Sequence, residues 1–300
     1  MLIFRTDQFP LPLPAGHRFP VEKYRMLADA VAALPGAHMD TAPAATNREL
    51  RLAHAANYVD SMHDGSVPPA IMREIGLPWS RELVERSARS VGATIAAARS
   101  ALLHGAGVNL AGGTHHAGHA KGGGFCVFND VAVAIRLLQQ EGLIRRAAVI
   151  DLDVHQGNGT AELFQGDGSV FTLSLHGEKN FPFRRVASTL DVGVADNTGD
   201  DVYLQLLDDA LRTLADNTQP DIVFYLAGAD PYQGDRLGRL ALSKAGLLVR
   251  DCRVFDLCEQ RQWPLAVVMA GGYAVPIADT VDIHLQTVRE LLSRHHPKGG

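Results

Sequence analysis

Short apolar runs alternate along this chain with longer segments whose apolar residues recur at helical spacing. The runs predict strands at 108–111, 147–150, 170–175, 222–227 and 265–270, with an edge strand at Leu2–Phe4. The longer segments predict helices at 22–33, 81–103, 131–140, 203–215, 244–259 and 277–293. In the 81–103 segment Leu83, Val84, Val91, Ile95 and Ala98 mark one apolar face. Strand and helix in alternation point to βαβ units and a parallel sheet. No Ser/Gly linker, charge block or internal repeat breaks the series. Residues 1–300 therefore read as a single domain, a three-layer α/β/α fold with a mainly parallel central sheet.

Each predicted central strand runs into residues suited to chemistry. The 108–111 run leads to His115-His116, and the 147–150 run to Asp151-Leu152-Asp153-Val154-His155. The 170–175 run contains Ser174 and meets His176, the 222–227 run meets Asp230, and the 265–270 run meets Gly271-Gly272-Tyr273. Ligands of open parallel sheets bind outside the carboxyl ends of the strands, so five loops converge on one edge. In extended backbone Asp151, Asp153 and His155 would share a face while Leu152 and Val154 point away. Two carboxylates and an imidazole at a buried strand end are costly without a positive partner. A metal ion fits. The plainer reading is a polar strand end that caps the next helix.

Composition narrows the classes. A formal charge of −5 offers no basic stripe for nucleic acid. No apolar run reaches the ~20 residues of a membrane helix, and the Arg5 and prolines near the start do not resemble a signal peptide. Three cysteines (Cys126, Cys252 and Cys258) form no CxxC pair, which predicts a reducing, cytoplasmic setting.

A catalytic zinc site needs three protein ligands and an open position. Asp153, His155 and Asp230 make such a set, with Fe2+ as an alternative metal. Two anionic ligands would acidify a bound water less than three histidines. His115-His116 then supplies a general base and a supporting imidazole, although a His-His pair alone also suits a capping role. Tyr273 could donate to an oxyanion, or simply pack in its loop. The parts make a metal-assisted hydrolase of a carbonyl substrate. Gly-x-Ser-x-Gly, Walker A and strand-borne GxGxxG are absent.

Gly112-Gly113-Thr114-His115-His116, the stretch from Gly122-Gly123-Gly124-Phe125 to Asn129-Asp130, Asp151 to Gly159, and Gly271-Gly272-Tyr273 together resemble the motifs of zinc-dependent histone deacetylases. The resemblance runs from about His17 to the Tyr273 loop. Gly234-Asp235-Arg236-Leu237-Gly238 and the three glycines before Phe125 are most similar to the class IV branch and its bacterial, acetoin-utilisation-like relatives. It implies the arginase/deacetylase fold and zinc on Asp153, His155 and Asp230. It implies His116 as base and acid, His115 as its electrostatic partner held by Asp151, and Tyr273 as the group polarising the acyl carbonyl. Phe125 would wall the acyl-lysine tunnel, with Phe181 or Phe183 opposite, and the Gly124 carbonyl would accept the substrate amide. Potassium would sit at Asp151 and mainly backbone oxygens of Asp153, His155, Ser174 and Leu175. Arg25 would match an arginine behind the site.

Two departures stand out. Asn158 occupies the place of an aspartate in class I enzymes, and a neutral amide raises imidazole basicity less than a carboxylate. Gly-Thr-His-His replaces Pro-Gly-His-His. The leading expectation is hydrolysis of N-acyl-lysine in a protein or peptide, acetyl or longer. A small acylated amine such as an acetylpolyamine is the alternative, which acidic residues at the rim would favour. An arginase-like site is disfavoured by too few carboxylates, and a non-catalytic acyl-lysine reader by the full set of catalytic groups. Glycines 122–124 suggest either a yielding wall or a tight turn.

Overall fold

A computed structural model describes residues 1–295. In chain order its elements are β1 (Leu2–Phe4), α1 (Glu22–Ala32), β2 (Met39–Asp40), α2 (Asn47–Leu50), α3 (Ala56–Asp64), α4 (Pro69–Ile75), α5 (Arg81–His104), β3 (Ala106–Asn109), α6 (Asp130–Gln140) and β4 (Ala147–Asp151). There follow α7 (Asn158–Leu163), β5 (Val170–Gly177), β6 (Leu190–Val194), α8 (Asp200–Asn217), β7 (Ile222–Leu226), α9 (Lys244–Arg261), β8 (Leu265–Val268) and α10 (Ala278–His295). The eight strands form one sheet in the order β2-β1-β3-β8-β7-β4-β5-β6. Every neighbouring pair is parallel.

Burial of both sheet faces explains the unbroken apolar strands. Successive residues go to opposite layers. Val223, Tyr225 and Val267 join one core, with Leu27 of α1, Leu207 of α8, Val254 of α9 and Val288 of α10. Phe224, Ala266 and Val268 join the other, with Val91 and Ile95 of α5 and Ile135 of α6. The sandwich is the expected three-layer α/β/α arrangement.

The differences from the sequence reading are local. The β3 strand stops at Asn109, short of the expected 111. The Asn109 amide donates to Ser90 O and Thr94 Oγ1 while its Oδ1 accepts from Ala111 N–H, turning the chain out of the ladder. The unexpected helices α2, α3, α4 and α7 are only 4, 9, 7 and 6 residues long, below the window in which a helical period registers. The edge strand β6 exposes alternate residues and contains Gly193. No helix among the described residues is long and apolar enough to cross a membrane.

His54, after α2, ties down the loop that reaches the site. Its Nδ1 lies 2.9 Å from Gly118 O, and its Nε2 accepts the Asn129 N–H at 2.9 Å. The Nε2 bond needs the neutral ring, because protonation would turn that acceptor into a donor. Burial lowers its pKa from 6.5 to about 4. Unfolded chain thus takes up the proton first, so stability is complete above about pH 6.5 and falls toward pH 4, by about 3 kcal/mol from this group. Urea midpoints between pH 7 and 4.5 should drop further for the parent than for His54→Gln. Parallel drops would clear His54 as the source.

Candidate active site

The carboxyl edge of the sheet gathers the polar residues, but the Asp-x-Asp-x-His run does so differently from the strand pleat expected. Strand β4 ends at Asp151, and the backbone beyond it bends. Each carboxylate then turns the chain locally: Asp151 Oδ1 accepts Asp153 N–H at 3.2 Å, and Asp153 Oδ1 accepts His155 N–H at 2.9 Å. Asp230, beyond β7, accepts Val154 N–H on Oδ1 at 2.9 Å. Convergence therefore comes from side chain to backbone turns, with Asp151 set apart from the other two.

Asp153, His155 and Asp230 each offer one donor atom, all within 4.8 Å of one another. His155 Nδ1 is 2.9 Å from Asp153 Oδ1 and 3.2 Å from Asp230 Oδ2. One Nδ1–H cannot serve both, and the buried Asp230 Oδ2 is left with no hydrogen-bond partner among the described residues. Burial opposes charge on His155, yet the two carboxylates raise it to about 10. Burial and then Asp153 push Asp230 up to about 7. Protein groups alone satisfy this cluster only by trapping a proton between two carboxylates. A divalent cation suits the same place, and two oxygens with one imidazole suit zinc or iron(II). Gly271 approaches so closely that a Cβ there would lie 2.0 Å from Asp230 Oδ2.

The adjacent imidazoles occupy opposite electrostatic settings. His115 Nδ1 is 2.7 Å from Asp151 Oδ2. Burial disfavours its charge, but Asp151 and Asp153 outweigh this and raise it to about 9. His116 Nδ1 is 2.8 Å from Asn158 Oδ1 at the start of α7. Burial, then His115 and His155, hold His116 well below the usual histidine range. The Asn158 carbonyl oxygen fixes the proton on Nδ1 and leaves Nε2 free. The two rings, centroids 4.1 Å apart, therefore sit in opposite settings, His115 against a carboxylate and His116 against a neutral amide.

Both histidines hang on the loop after β3, whose shape depends on Asp130. This buried carboxylate at the start of α6 accepts from Gly113 N–H at 3.0 Å, Thr114 N–H at 2.8 Å and Thr94 Oγ1 at 2.6 Å.

A cavity of about 520 Å³ opens onto these groups, lined among others by Phe125, Phe181, Phe183 and Tyr273. The glycines before Phe125 make a tight, pinned turn. Gly124 N–H donates to Glu74 O and Phe125 N–H to Ile75 O. A Cβ on Gly124, where φ is +50°, would meet His116 Cδ2 at 2.4 Å. Phe181 stands edge-on to His116 at 4.9 Å, whereas Phe183 is 88% exposed at the mouth. Tyr273 is buried 5.9 Å from Phe125, and burial holds its phenol well above 10, hence protonated. Asp235 Oδ2 fixes the loop by accepting Tyr273 N–H at 2.6 Å. The Ser174 hydroxyl is 3.0 Å from His176 Nδ1, and Ser174 is the register partner of Asp151. Leu175, the next residue of β5, is buried in the core.

Arg25 does not lie behind the site. Its side chain is 82% exposed and 3.7 Å from Asp29. Lys23, two residues earlier on α1, is the buried cation instead. Its ammonium donates to Gly272 O at 3.1 Å and lies 5.1 Å from the Tyr273 ring centroid. The exposed charged residues lining the mouth are Arg18, Arg73, Lys179, Arg239 and one carboxylate, Glu74. Acidic residues do not dominate the rim.

Sheet and site together define an α/β protein with a candidate metal centre and an imidazole pair on the carboxyl edge of a parallel sheet. Residues 17–288 match the histone deacetylase domain, and the chain belongs to the histone deacetylase family. It is 45% identical over 288 residues to an uncharacterized protein of Picosynechococcus sp., covering 94% of this chain and 95% of that one. It is 34% identical over 251 residues to histone deacetylase 2 of Arabidopsis thaliana, covering 79% of this chain and 65% of that protein. A crystal structure of a histone deacetylase homolog from Aquifex aeolicus superposes with a TM-score of 0.82 at 25% identity, covering 99% of this chain and 84% of that one. A histone deacetylase homolog complexed with SAHA gives 0.80 at 25% identity, with 96% of this chain and 84% of that one covered. The family is one of hydrolases.

Proposed function

We propose that this chain hydrolyses the amide of an N-acyl-lysine side chain. The observation that carries the reading is the imidazole pair, His115 held by the Asp151 carboxylate and His116 by the Asn158 amide, beside the Asp153–His155–Asp230 cluster at the floor of a cavity walled by Phe125, Phe181 and Tyr273. A zinc ion on those three ligands would supply Lewis acidity and a more acidic water, with iron(II) an alternative. His116 Nε2 takes a proton from the attacking water, while the imidazolium of His115, held by Asp151, offsets the anion that forms. The Tyr273 hydroxyl donates to the oxygen of the former carbonyl. As the C–N bond breaks, His116 returns the proton to the departing lysine amine, leaving a carboxylate and a free amine.

In this reading Phe125 and Phe181 flank the lysine stem, Phe183 belongs to the mouth, and Gly124 O accepts the substrate N–H. Asn158 orients His116. Potassium at Asp151, with backbone oxygens of Asp153, His155, Ser174 and Leu175, belongs to the same proposal, supported by Asp151 and Ser174 meeting in register on adjacent strands. The cationic mouth speaks against an acetylpolyamine, whose own charge it would repel.

The test is a panel of peptides carrying one lysine acylated with chains from acetyl to long fatty acyl, assayed with metal-loaded protein and an acetylpolyamine control. Peptide turnover that stops when the metal is chelated is expected. Steady turnover of the polyamine and none of any peptide would overturn the reading.

A further inference from the structure

The mouth of the cavity carries a charge opposite to that of the chain. The chain has a formal charge of −5, yet four of the five exposed charged residues lining the mouth are cations. They come from four separate segments: Arg18 from the loop before α1, Arg73 from α4, Lys179 from the turn after β5, and Arg239 from the loop after β7. Arg239 shares Asp196 at 3.3 Å and stays more than half exposed. Arg18, Arg73 and Lys179 have no carboxylate within ion-pair distance among the described residues. The Arg18 guanidinium sits 5.2 Å from the Phe125 ring centroid, which holds one positive charge beside the tunnel wall.

We infer that the substrate presents its acylated lysine within an acidic stretch of peptide, with Asp or Glu on both sides of the lysine. The inference rests on the deacylase reading and adds to it which sequences the mouth accepts. A peptide whose lysine enters the cavity must lay its flanking residues across the rim, at about 3.3 Å per residue. The nearest flanks on either side therefore fall within the roughly 8 Å over which exposed charges act at physiological salt. Carboxylates there meet cations from several directions, and lysine- or arginine-rich flanks meet like charge.

Three peptides with one acyl-lysine each, flanked by Asp/Glu, by Gly/Ser or by Lys/Arg, test this in two assays. The first is anisotropy binding to zinc-loaded protein, using an unhydrolysable ketone isostere of the acyl-lysine. The acidic peptide should bind on the order of tenfold more tightly than the basic one at low salt, with the gap closing as salt rises. Arg18→Glu combined with Arg73→Glu, both at exposed positions, should erase or invert the order. Equal binding of the three, tighter binding of the basic peptide, or an order unchanged in the double variant would overturn the inference. The second assay is turnover of the hydrolysable Gly/Ser peptide. No turnover with flank-dependent binding would sink the deacylase reading and keep the acidic-peptide surface. Turnover with flank-independent binding would do the reverse.

Discussion

Tyr273→Phe is expected to lower kcat by about 10²- to 10³-fold, the usual cost of deleting one donor to a developing oxyanion, while bound metal stays at parent level. The substitution removes a single oxygen. The ring keeps its contacts with Phe125 and with the ammonium of Lys23. The loop keeps its position because Asp235 holds it through the backbone N–H. The hydroxyl has no hydrogen-bond partner among the described residues, so no buried acceptor is orphaned and stability should change by less than about 0.5 kcal/mol. KM should move little, since the lost interaction belongs to the transition state. Near-parental kcat with full metal content would remove Tyr273 from the reaction.

Asp230→Ala should abolish metal-dependent stabilisation as well as turnover. With parent protein, zinc at a thousandfold excess over its dissociation constant adds about 4 kcal/mol to the folded state. At this chain length that is a rise in Tm on the order of 5–10 °C. Asp230 is fully buried, and its Oδ2 is the one carboxylate oxygen of the cluster without a hydrogen bond among the described residues, with His155 Nδ1 3.2 Å away. Its Oδ1 does hold Val154 N–H, and Asp230→Asn keeps that acceptor while removing the negative charge. Calorimetry with and without zinc on both variants separates the two roles. A zinc-dependent rise in Tm surviving in both would exclude Asp230 from the ligand set.

The sheet and the long helices were legible in the sequence because strands buried on both faces are continuously apolar and long amphipathic helices repeat their period several times. The five strand-end loops were legible for the same reason: parallel strands bring their carboxyl ends to one edge, whatever the helices between them do. Side-chain direction past a strand end was not. The Asp151 to His155 run reads as a pleat, yet β4 stops at Asp151, and hydrogen bonds from carboxylate to backbone set the rest. Lys23 and Arg25 illustrate a second limit. Two positions on a helix are about 200° apart, so one side chain of α1 reaches Gly272 while the other points to solvent. Sequence similarity over a short helix does not fix which. Asp130 and Asp235 stood in the motifs without a role of their own, because the backbone N–H groups they hold leave no mark in sequence.

The position of β8 has a consequence for biogenesis. This strand lies in the middle of the sheet, between β3 and β7, although only α10 follows it among the described elements. During synthesis β3 and β7 must therefore wait, each with an unpaired edge, until residues beyond 265 emerge. Pairing between such distant segments is intrinsically slow, and apolar strands with open edges are sites of aggregation. The segment that closes this gap also delivers Tyr273, so the sheet becomes whole and the last wall of the cavity arrives in one event.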